Sequence, residues 1–197
     1  MKTSGNTILV TGGTSGIGRA LASEFHDRVN RVIITGRRQE LLDQILSEHA
    51  GISGAESLVD GGFHLFVAEA LVRTNIMGVL HLTAALLPVL QRQATASIVT
   101  TTSGLAFVLR ANYPTYCASK AFLHVWLQAL RTQLSGSGVE VLELVPQARD
   151  PNAMPLDDYI AEVIGIIEDV DTPGGEILVD RVKMLRRAEE RGQYAEI

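Results

Sequence analysis

Two patterns of hydrophobic and polar residues alternate along the chain and predict its strands and helices. Short, continuous apolar runs are typical of strands buried on both faces of a parallel sheet, and runs with helical spacing separate them. The predicted strands are Thr7–Thr11, Arg31–Thr35, Ala96–Thr101 and Val139–Val145. The predicted helices are Ile17–His26, Arg38–His49, Phe63–Gln93 with a bend or an end near Pro88, Pro114–Leu134, Leu156–Val170 and Asp180–Arg191.

The order of these elements predicts the fold class. Strands that alternate with helices indicate an α/β domain of the Rossmann type, with a doubly wound parallel sheet whose ligand site lies at the carboxyl ends of the strands. The 197 residues are 46% apolar and show no internal repeat or linker. We therefore expect a single domain over residues 1–197.

Charge and composition limit the kinds of partner that the protein is expected to bind. A net charge of -5 opposes a dominant electrostatic attraction to nucleic acid or to an anionic membrane. The single cysteine, Cys117, cannot form an internal disulfide, which suits a reducing compartment. The N-terminal residues lack the apolar stretch of a secretory signal, and we expect every apolar run to fall short of the roughly 18 residues of a membrane span. These features predict a cytoplasmic protein that binds small molecules and other protein chains.

A glycine-rich turn joins the first strand to the first helix. Gly12 permits a tight turn, Gly16 lets the backbone approach a pyrophosphate, and Gly18 lets helix and strand pack closely. Free N–H groups at the helix start would face the anion. The alternative is a glycine-rich loop without a ligand. The predicted cofactor-binding residues of this turn are Gly12, Thr14, Ser15, Gly16, Ile17 and Gly18.

The end of the second strand indicates which dinucleotide binds. NAD-binding folds of this type hold the ribose 2′-hydroxyl with an acidic residue near this point, whereas arginine accommodates a 2′-phosphate. This chain has Arg37 and Arg38 there and no acid. Two guanidinium groups suit a phosphate, so the sequence favours NADP(H) over NAD(H). Alternatively, both arginines only cap the strand or begin a solvated helix face.

A hydroxyl, a phenol and an ammonium follow in an order that suits proton transfer. Tyr116 and Lys120 are four residues apart and so share one face of a helix. A nearby lysine favours the phenolate form of a tyrosine, which otherwise is a poor base at neutral pH. Ser103 follows the strand Ala96–Thr101, where its hydroxyl can bond a substrate oxygen as charge develops. Tyr113 is a weaker candidate because its partner at the same spacing is Cys117.

The glycine turn, Ser103, and the Tyr116 and Lys120 pair resemble the short-chain dehydrogenase/reductase family, in the family's order. Within it the chain looks similar to bacterial DltE-like oxidoreductases. The resemblance implies hydride transfer between a nicotinamide cofactor and a carbonyl or secondary alcohol, with Pro146 beside the cofactor and Asn75 holding a water that leads to the lysine. It also implies a homodimer or homotetramer through the helices near residues 63–90 and 114–134.

The chain departs from the family pattern at two places. After Gly54 the family has a third strand, a helix and a fourth strand, and at least about 30 residues are missing here, the length of a β-α-β unit. After Pro146 the family has a glycine and a flexible lid, which is short or absent. Deleting a central strand would leave buried backbone edges unpaired. We therefore expect a natural polypeptide longer than 197 residues and a spatial break near Gly54.

Three functional hypotheses follow. The leading one is an NADP(H)-dependent oxidoreductase with Asn75, Ser103, Tyr116 and Lys120 as its catalytic residues. The second is a non-catalytic dinucleotide-binding or scaffolding protein, which the missing segments favour and the four residues oppose. The third is another Rossmann-type enzyme, such as a methyltransferase. The five histidines lack metal-binding spacing, so we expect no metal site and interpret them as surface or packing residues.

Overall fold

The structure, a computed structural model, describes residues 1–13, 15–35, 56, 64–147, 154–169, 172–188 and 191. All four predicted strands are confirmed with the same bounds. A fifth strand was not predicted because three residues are too few to show a pattern. The strands are β1 (Thr7–Thr11), β2 (Arg31–Thr35), β3 (Ala96–Thr101), β4 (Val139–Val145) and β5 (Glu176–Leu178).

The helices of the described residues also follow the prediction, apart from details at their ends. The predicted helix Arg38–His49 lies outside the described residues and stays a prediction. The last helix ends at Arg186 rather than Arg191, and Pro88 lies inside a helix that continues to Leu90. The helices are α1 (Gly16–Asp27), α2 (Leu65–Val72), α3 (Gly78–Leu90), α4 (Pro114–Gln133), α5 (Leu156–Glu168) and α6 (Asp180–Arg186).

A π-helical turn, Arg73–Met77, joins α2 to α3. The three segments form a continuous helical run from Leu65 to Leu90. The apolar periodicity predicted one long helix here and could not reveal the π turn. Such turns are rare and are frequent at functional sites.

The described strands form two groups, and every pairing in them is parallel. β1 pairs with β2, with Thr7 opposite Arg31 and Thr11 opposite Thr35. β3 pairs with β4, and β4 with β5. Within the part of the chain that the structure describes, no strand joins β1 to β3. The fold is thus the predicted parallel α/β type, with a gap in its sheet.

The core lies around β4, α5 and the chain near β5. β4 contributes Leu142, Leu144 and Val145, all almost fully buried. Phe25 of α1 belongs to the same hydrophobic cluster, so the first helix packs on this core. A second cluster joins α4 to the other face of the strands, through Leu127, Leu130, Leu134, Val139 and Val141.

One sequence expectation about membranes was wrong. The helical run Leu65–Leu90 is long and apolar enough to cross a membrane, with a mean hydropathy of 1.5 over 18 residues, of which only 11% are buried. Its polar residues, such as Glu69 and Arg73, are too few to offset the apolar ones. Length and composition do not separate a membrane span from a helix that packs against a second protein chain.

Candidate active site

The glycine turn after β1 has the backbone geometry that makes glycine necessary. Gly12 and Gly16 have φ of +69° and +54°, in the left-handed region. A Cβ at position 18 would lie 2.6 Å from the carbonyl oxygen of Gly12, so only glycine fits where α1 approaches the turn. The reasons given for Gly12 and Gly18 therefore agree with the structure.

The first turn of α1 presents backbone donors. Ser15 is the N-cap residue, is exposed, and makes no capping hydrogen bond with its side chain. The first N–H groups of a helix lack partners within the helix and attract anions. Ile17 is half-buried and packs against the main core. Thr14, Arg37 and Arg38 lie outside the described residues.

Ser103 lies directly beyond the carboxyl end of β3. It is 1% exposed, and its Oγ accepts a hydrogen bond of 3.2 Å from the backbone N–H of Leu105. Backbone hydrogen bonds on both sides of Ser103 hold it against β4. The N–H of Thr102 donates to the Leu144 carbonyl, and the N–H of Gly104 donates to the carbonyl of Pro146, the residue after β4, each at 2.9 Å. Ser103 is thus held at the strand end where the sequence placed it.

The start of α4 brings the phenol and the ammonium together. Pro114 occupies the first turn, where its missing N–H is not needed. The Nζ of Lys120 lies 5.7 Å from the centroid of the Tyr116 ring and donates to the Thr101 carbonyl at 3.0 Å. Burial lowers the pKa of Lys120 to about 8. Lys120 therefore links the helix that carries Tyr116 to the end of the strand that precedes Ser103.

Asn75 lies in the π turn and contacts α4. Its Nδ2 donates to the Oγ of Ser119 at 3.0 Å, and this Oγ donates to the Tyr116 carbonyl at 2.8 Å. The structure brings Asn75 to the helical turn that carries Tyr116 and Lys120. Its contact is with Ser119, a buried residue that the sequence did not single out, although it directly precedes Lys120.

Two buried carboxylates near the site were also missed. Glu56 accepts a hydrogen bond of 2.9 Å from the N–H of Thr115 at the start of α4, and its other oxygen is buried and has no partner in the described part of the chain. Glu143 lies inside β4 and is 0% exposed. The apolar strand pattern around Glu143 signals burial, and a buried carboxylate needs partners.

The partners of Glu143 include a histidine that the sequence suggested was a packing or surface residue. His124, Glu143 and Glu176 offer possible metal ligands within 4.8 Å of one another. However, Arg186 donates to both oxygens of Glu176 at 3.0 and 3.2 Å, so a guanidinium already supplies a positive charge. The absence of a metal site stays a prediction.

The carboxyl end of β4 has a further acceptor. Pro146 follows the strand directly, and the side-chain oxygen of Gln147 is buried and has no hydrogen-bond partner among the described residues. Buried polar groups usually have partners, so this oxygen is a candidate contact for a ligand. Residues 148–153, where the family lid would begin, lie outside the described residues.

Comparison with known proteins gives one family. The family model described as "short chain dehydrogenase" matches residues 6–61 and 49–155. "Uncharacterized oxidoreductase DltE" of Bacillus subtilis is 36% identical over 186 residues, covering 76% of this chain and 74% of the relative. "Serine 3-dehydrogenase" of Agrobacterium fabrum is 34% identical over 181 residues, covering 71% and 70%.

A solved structure shows the same fold. The short chain dehydrogenase from Burkholderia cenocepacia, in complex with NADP, matches with a TM-score of 0.79 and 18% identity. The match covers 100% of this chain and 97% of that one.

The matches also locate the missing segment. Since 76% of 197 residues is about 150, about 36 of the 186 positions aligned with the Bacillus protein have no counterpart here. The two matches to the family model overlap at residues 49–61, a stretch that contains Gly54. The motifs, the fold and these relatives agree, and the chain belongs to the short-chain dehydrogenase/reductase family of oxidoreductases.

Proposed function

We propose that the protein is an NADP(H)-dependent oxidoreductase that interconverts a carbonyl group and a secondary alcohol. The observation that carries this proposal is the position of Lys120, which lies near the Tyr116 ring and bonds the end of β3 two residues before Ser103. Lys120 thus joins the helical turn of Tyr116 to the strand end that precedes Ser103, and doubly wound folds bind ligands at such strand ends.

The residues present fit a dinucleotide. Apart from its chain neighbours, no residue in the described part of the chain has an atom within 4 Å of a Cβ built on Gly12 or on Gly16, so the backbone is open to a phosphate there. The N-terminus of α1 follows directly and favours an anion. The unpartnered oxygen of Gln147 offers an acceptor for an amide N–H. We propose that Gly12, Thr14, Ser15, Gly16, Ile17, Gly18 and Pro146 contact the cofactor, together with Tyr116 and Lys120.

Each of the four catalytic residues then has a distinct role. When bound, NADP(H) supplies or accepts the hydride at its nicotinamide ring. Tyr116 gives a proton to the substrate oxygen or takes one from it. With a pKa of about 8, Lys120 is mostly an ammonium at neutral pH, and its charge favours the phenolate form of Tyr116. Ser103 donates a hydrogen bond to the oxygen, and Asn75 holds the water that leads to Lys120.

The cofactor preference rests on Arg37 and Arg38. A guanidinium gains charge-assisted bonds only when the 2′-phosphate is present, and one such bond contributes roughly 1.5 to 3 kcal/mol. Binding of NADPH should therefore be about tenfold tighter than binding of NADH, or more. Equal dissociation constants for the two would contradict the preference.

We also propose a cytoplasmic homodimer or homotetramer. The helical run Leu65–Leu90 is mostly exposed although it is apolar, and α4 adds two exposed apolar residues, Phe122 and Val125. A second copy of the chain would cover these faces. Sedimentation at micromolar concentration should show an oligomer, and a monomer alone would contradict it.

One observation favours the second hypothesis, a non-catalytic dinucleotide-binding protein. Among the described strands, none joins β1 to β3, which leaves an edge of each without a partner strand there. The experiment that separates the hypotheses is a scan of aldehydes, ketones and alcohols, including serine, that follows NADPH absorbance. Turnover of any compound supports the enzyme, whereas cofactor binding without turnover supports the alternative.

A further inference from the structure

A chain of hydrogen bonds crosses from α4 to the end of β3 through the buried carboxylate of Glu143. The hydroxyl of Thr102 donates to its Oε1 at 2.7 Å. The Nδ1 of His124 lies 2.8 Å from its Oε2. The Nε2 of Gln128 lies 3.0 Å from the Nε2 of His124. We call these four residues the Glu143 network.

The network satisfies Glu143 completely. A carboxylate that is removed from water without partners is strongly disfavoured. The side-chain nitrogen of Gln128 is a donor, so the facing nitrogen of His124 accepts, and the proton of His124 lies on the nitrogen that faces Glu143. Each oxygen of Glu143 thus accepts one hydrogen bond. A group held by two such bonds in a low-dielectric interior has a well-defined position.

Two members of the network lie beside the proposed catalytic residues. His124 follows Lys120 by four residues, which is one turn of α4. Thr102 directly precedes Ser103 and is 1% exposed. The bond from Lys120 to the Thr101 carbonyl runs between the same two segments. Two adjacent links therefore fix the spacing between the helix that carries Tyr116 and the turn that carries Ser103.

A metal ion is not needed to explain this cluster. Each oxygen of Glu143 already has a hydrogen-bond donor, and Arg186 donates to both oxygens of Glu176. Arg186 also lies over the Phe107 ring at 4.9 Å, and that ring meets the His124 ring edge-on at 4.9 Å. Packing and charge pairing thus support the network from the side of β5.

We propose that Glu143 is a positioning residue, which holds Ser103 at the correct distance from Tyr116 through Thr102 and His124. The proposal rests on the proposed function, because it assigns the network to the same reaction. A displacement of about 1 Å at a reacting group can reduce the rate about 10²-fold. Loss of the network should therefore lower kcat, whereas KM and cofactor affinity should change little because none of its four residues is among the proposed ligand contacts.

The test uses matched variants of Thr102, because Glu143 variants can fail to fold. Thr102→Val keeps the shape and removes the hydroxyl, and we expect its kcat to fall at least tenfold. Thr102→Ser keeps the hydroxyl and should restore most of kcat. Thr100→Val is the control, since Thr100 is also buried on β3 but lies outside the network. Glu143→Gln can keep both bonds if the proton of His124 moves to Nε2 and the Gln128 amide turns its oxygen toward it, and this variant should stay within about threefold of wild type.

A second readout does not depend on activity. Amide exchange of Thr102 and Gly104 reports how firmly the turn is held, because both N–H groups donate to the residues of or after β4. Thr102→Val should speed this exchange about tenfold, and Thr100→Val should not. Unchanged exchange, or equal losses of kcat in Thr102→Val and Thr100→Val, would overturn the proposal. An inactive wild type with faster exchange in Thr102→Val would instead refute the proposed function and leave the positioning of Ser103 supported.

Discussion

Similar apolar sequences lie in different surroundings in the two groups of strands. The first group is β1 with β2, and the second is β3 with β4 and β5. In β4, six of the seven residues are buried. In β1 none of the five residues is buried, and Leu9 is 41% exposed. Ile33 and Ile34 of β2 are 45% and 50% exposed. An apolar run therefore predicts a strand reliably, but the neighbours that bury it come from elsewhere in the chain.

We infer that the missing family segment explains the difference in burial between β1 and β4. β1 and β3 each have an edge without a partner among the described strands, and Val99 of β3 is 42% exposed. The family resemblance implies that a further strand lies beside β1, within the span where the Bacillus relative has about 36 additional aligned positions. We infer that a natural polypeptide with this segment would bury both edges. Its intact mass would exceed 21.3 kDa.

The largest expected effect separates the proposed chemistry beside β3 and β4 from cofactor binding at the glycine turn after β1. Tyr116→Phe removes a general acid and base, whose contribution is typically about 10² to 10⁴ in rate. Turnover should fall by that factor while cofactor affinity stays nearly intact. Gly18→Val should instead weaken cofactor binding, because the valine side chain would meet the Gly12 carbonyl. Kinetics and fluorescence titration with NADPH measure both, and near-normal turnover of Tyr116→Phe would refute the mechanism.

Hydrogen exchange compares the two groups directly. In the 197-residue chain, amides of β1 and β2 should exchange about 10² times faster than those of β4, because exposed strands open locally at lower free energy. Restoring a family segment between β1 and β3 should remove most of this difference. Equal protection of β1 and β4 in the 197-residue chain would show that something else covers the first group.

Lys120 of α4 is buried against the carboxyl end of β3, and its burial should reduce the stability of the folded protein. Its pKa is lowered from 10.5 to about 8 by burial, so between pH 8 and 10.5 the unfolded chain binds more protons than the folded one. The folded state bears the full penalty below pH 8, and stability recovers as pH rises through this window. Lys120→Met should raise Tm at pH 7 by roughly 2 to 4 °C, and lower turnover.

The pH dependence provides the check on this prediction. The gain in Tm should shrink as the pH rises from 8 to 10.5, since the wild-type lysine loses its charge there. Lys120→Arg is the matched variant, because an arginine keeps its charge over this range and should show no such recovery. A constant difference in Tm at all pH values would mean that desolvation of the ammonium is not the cause.

The smallest expected effect concerns the turn that leads from α1 into β2. In this turn Val29 has a φ of +62° and is 84% exposed. Its N–H donates to His26 and that of Asn30 to Phe25, an arrangement that ends helices and favours glycine. Val29→Gly should stabilise the protein by about 1 kcal/mol, seen as a higher Tm. Val29→Ala keeps a Cβ and should gain less, and a loss of stability in Val29→Gly would contradict the assigned backbone.

The sequence predicted most of the fold because local patterns determine it. β-branched apolar runs gave β1 and β4 their bounds, and Pro114 marked the start of α4. Tyr116, Lys120 and Ser103 were found because their spacing matches a chemical requirement. The Glu143 network was not found, because its members come from three elements and meet only when β3, β4 and α4 pack. The expected break near Gly54 lies outside the described residues and stays a prediction, and it came from the family order of strands, which no local pattern contains.

The π turn sets the angle at which the residues of α3 face relative to those of α2. Each residue of an α-helix advances the chain by about 100°, and the turn Arg73–Met77 holds one residue more than α geometry needs. A regular α-helix over the same residues would rotate Leu82 and Val89 by about 100° relative to Leu65. Asn75 would then lie at a different angle to Ser119. The register of the apolar surface and the placement of a catalytic side chain are thus set by a single inserted residue.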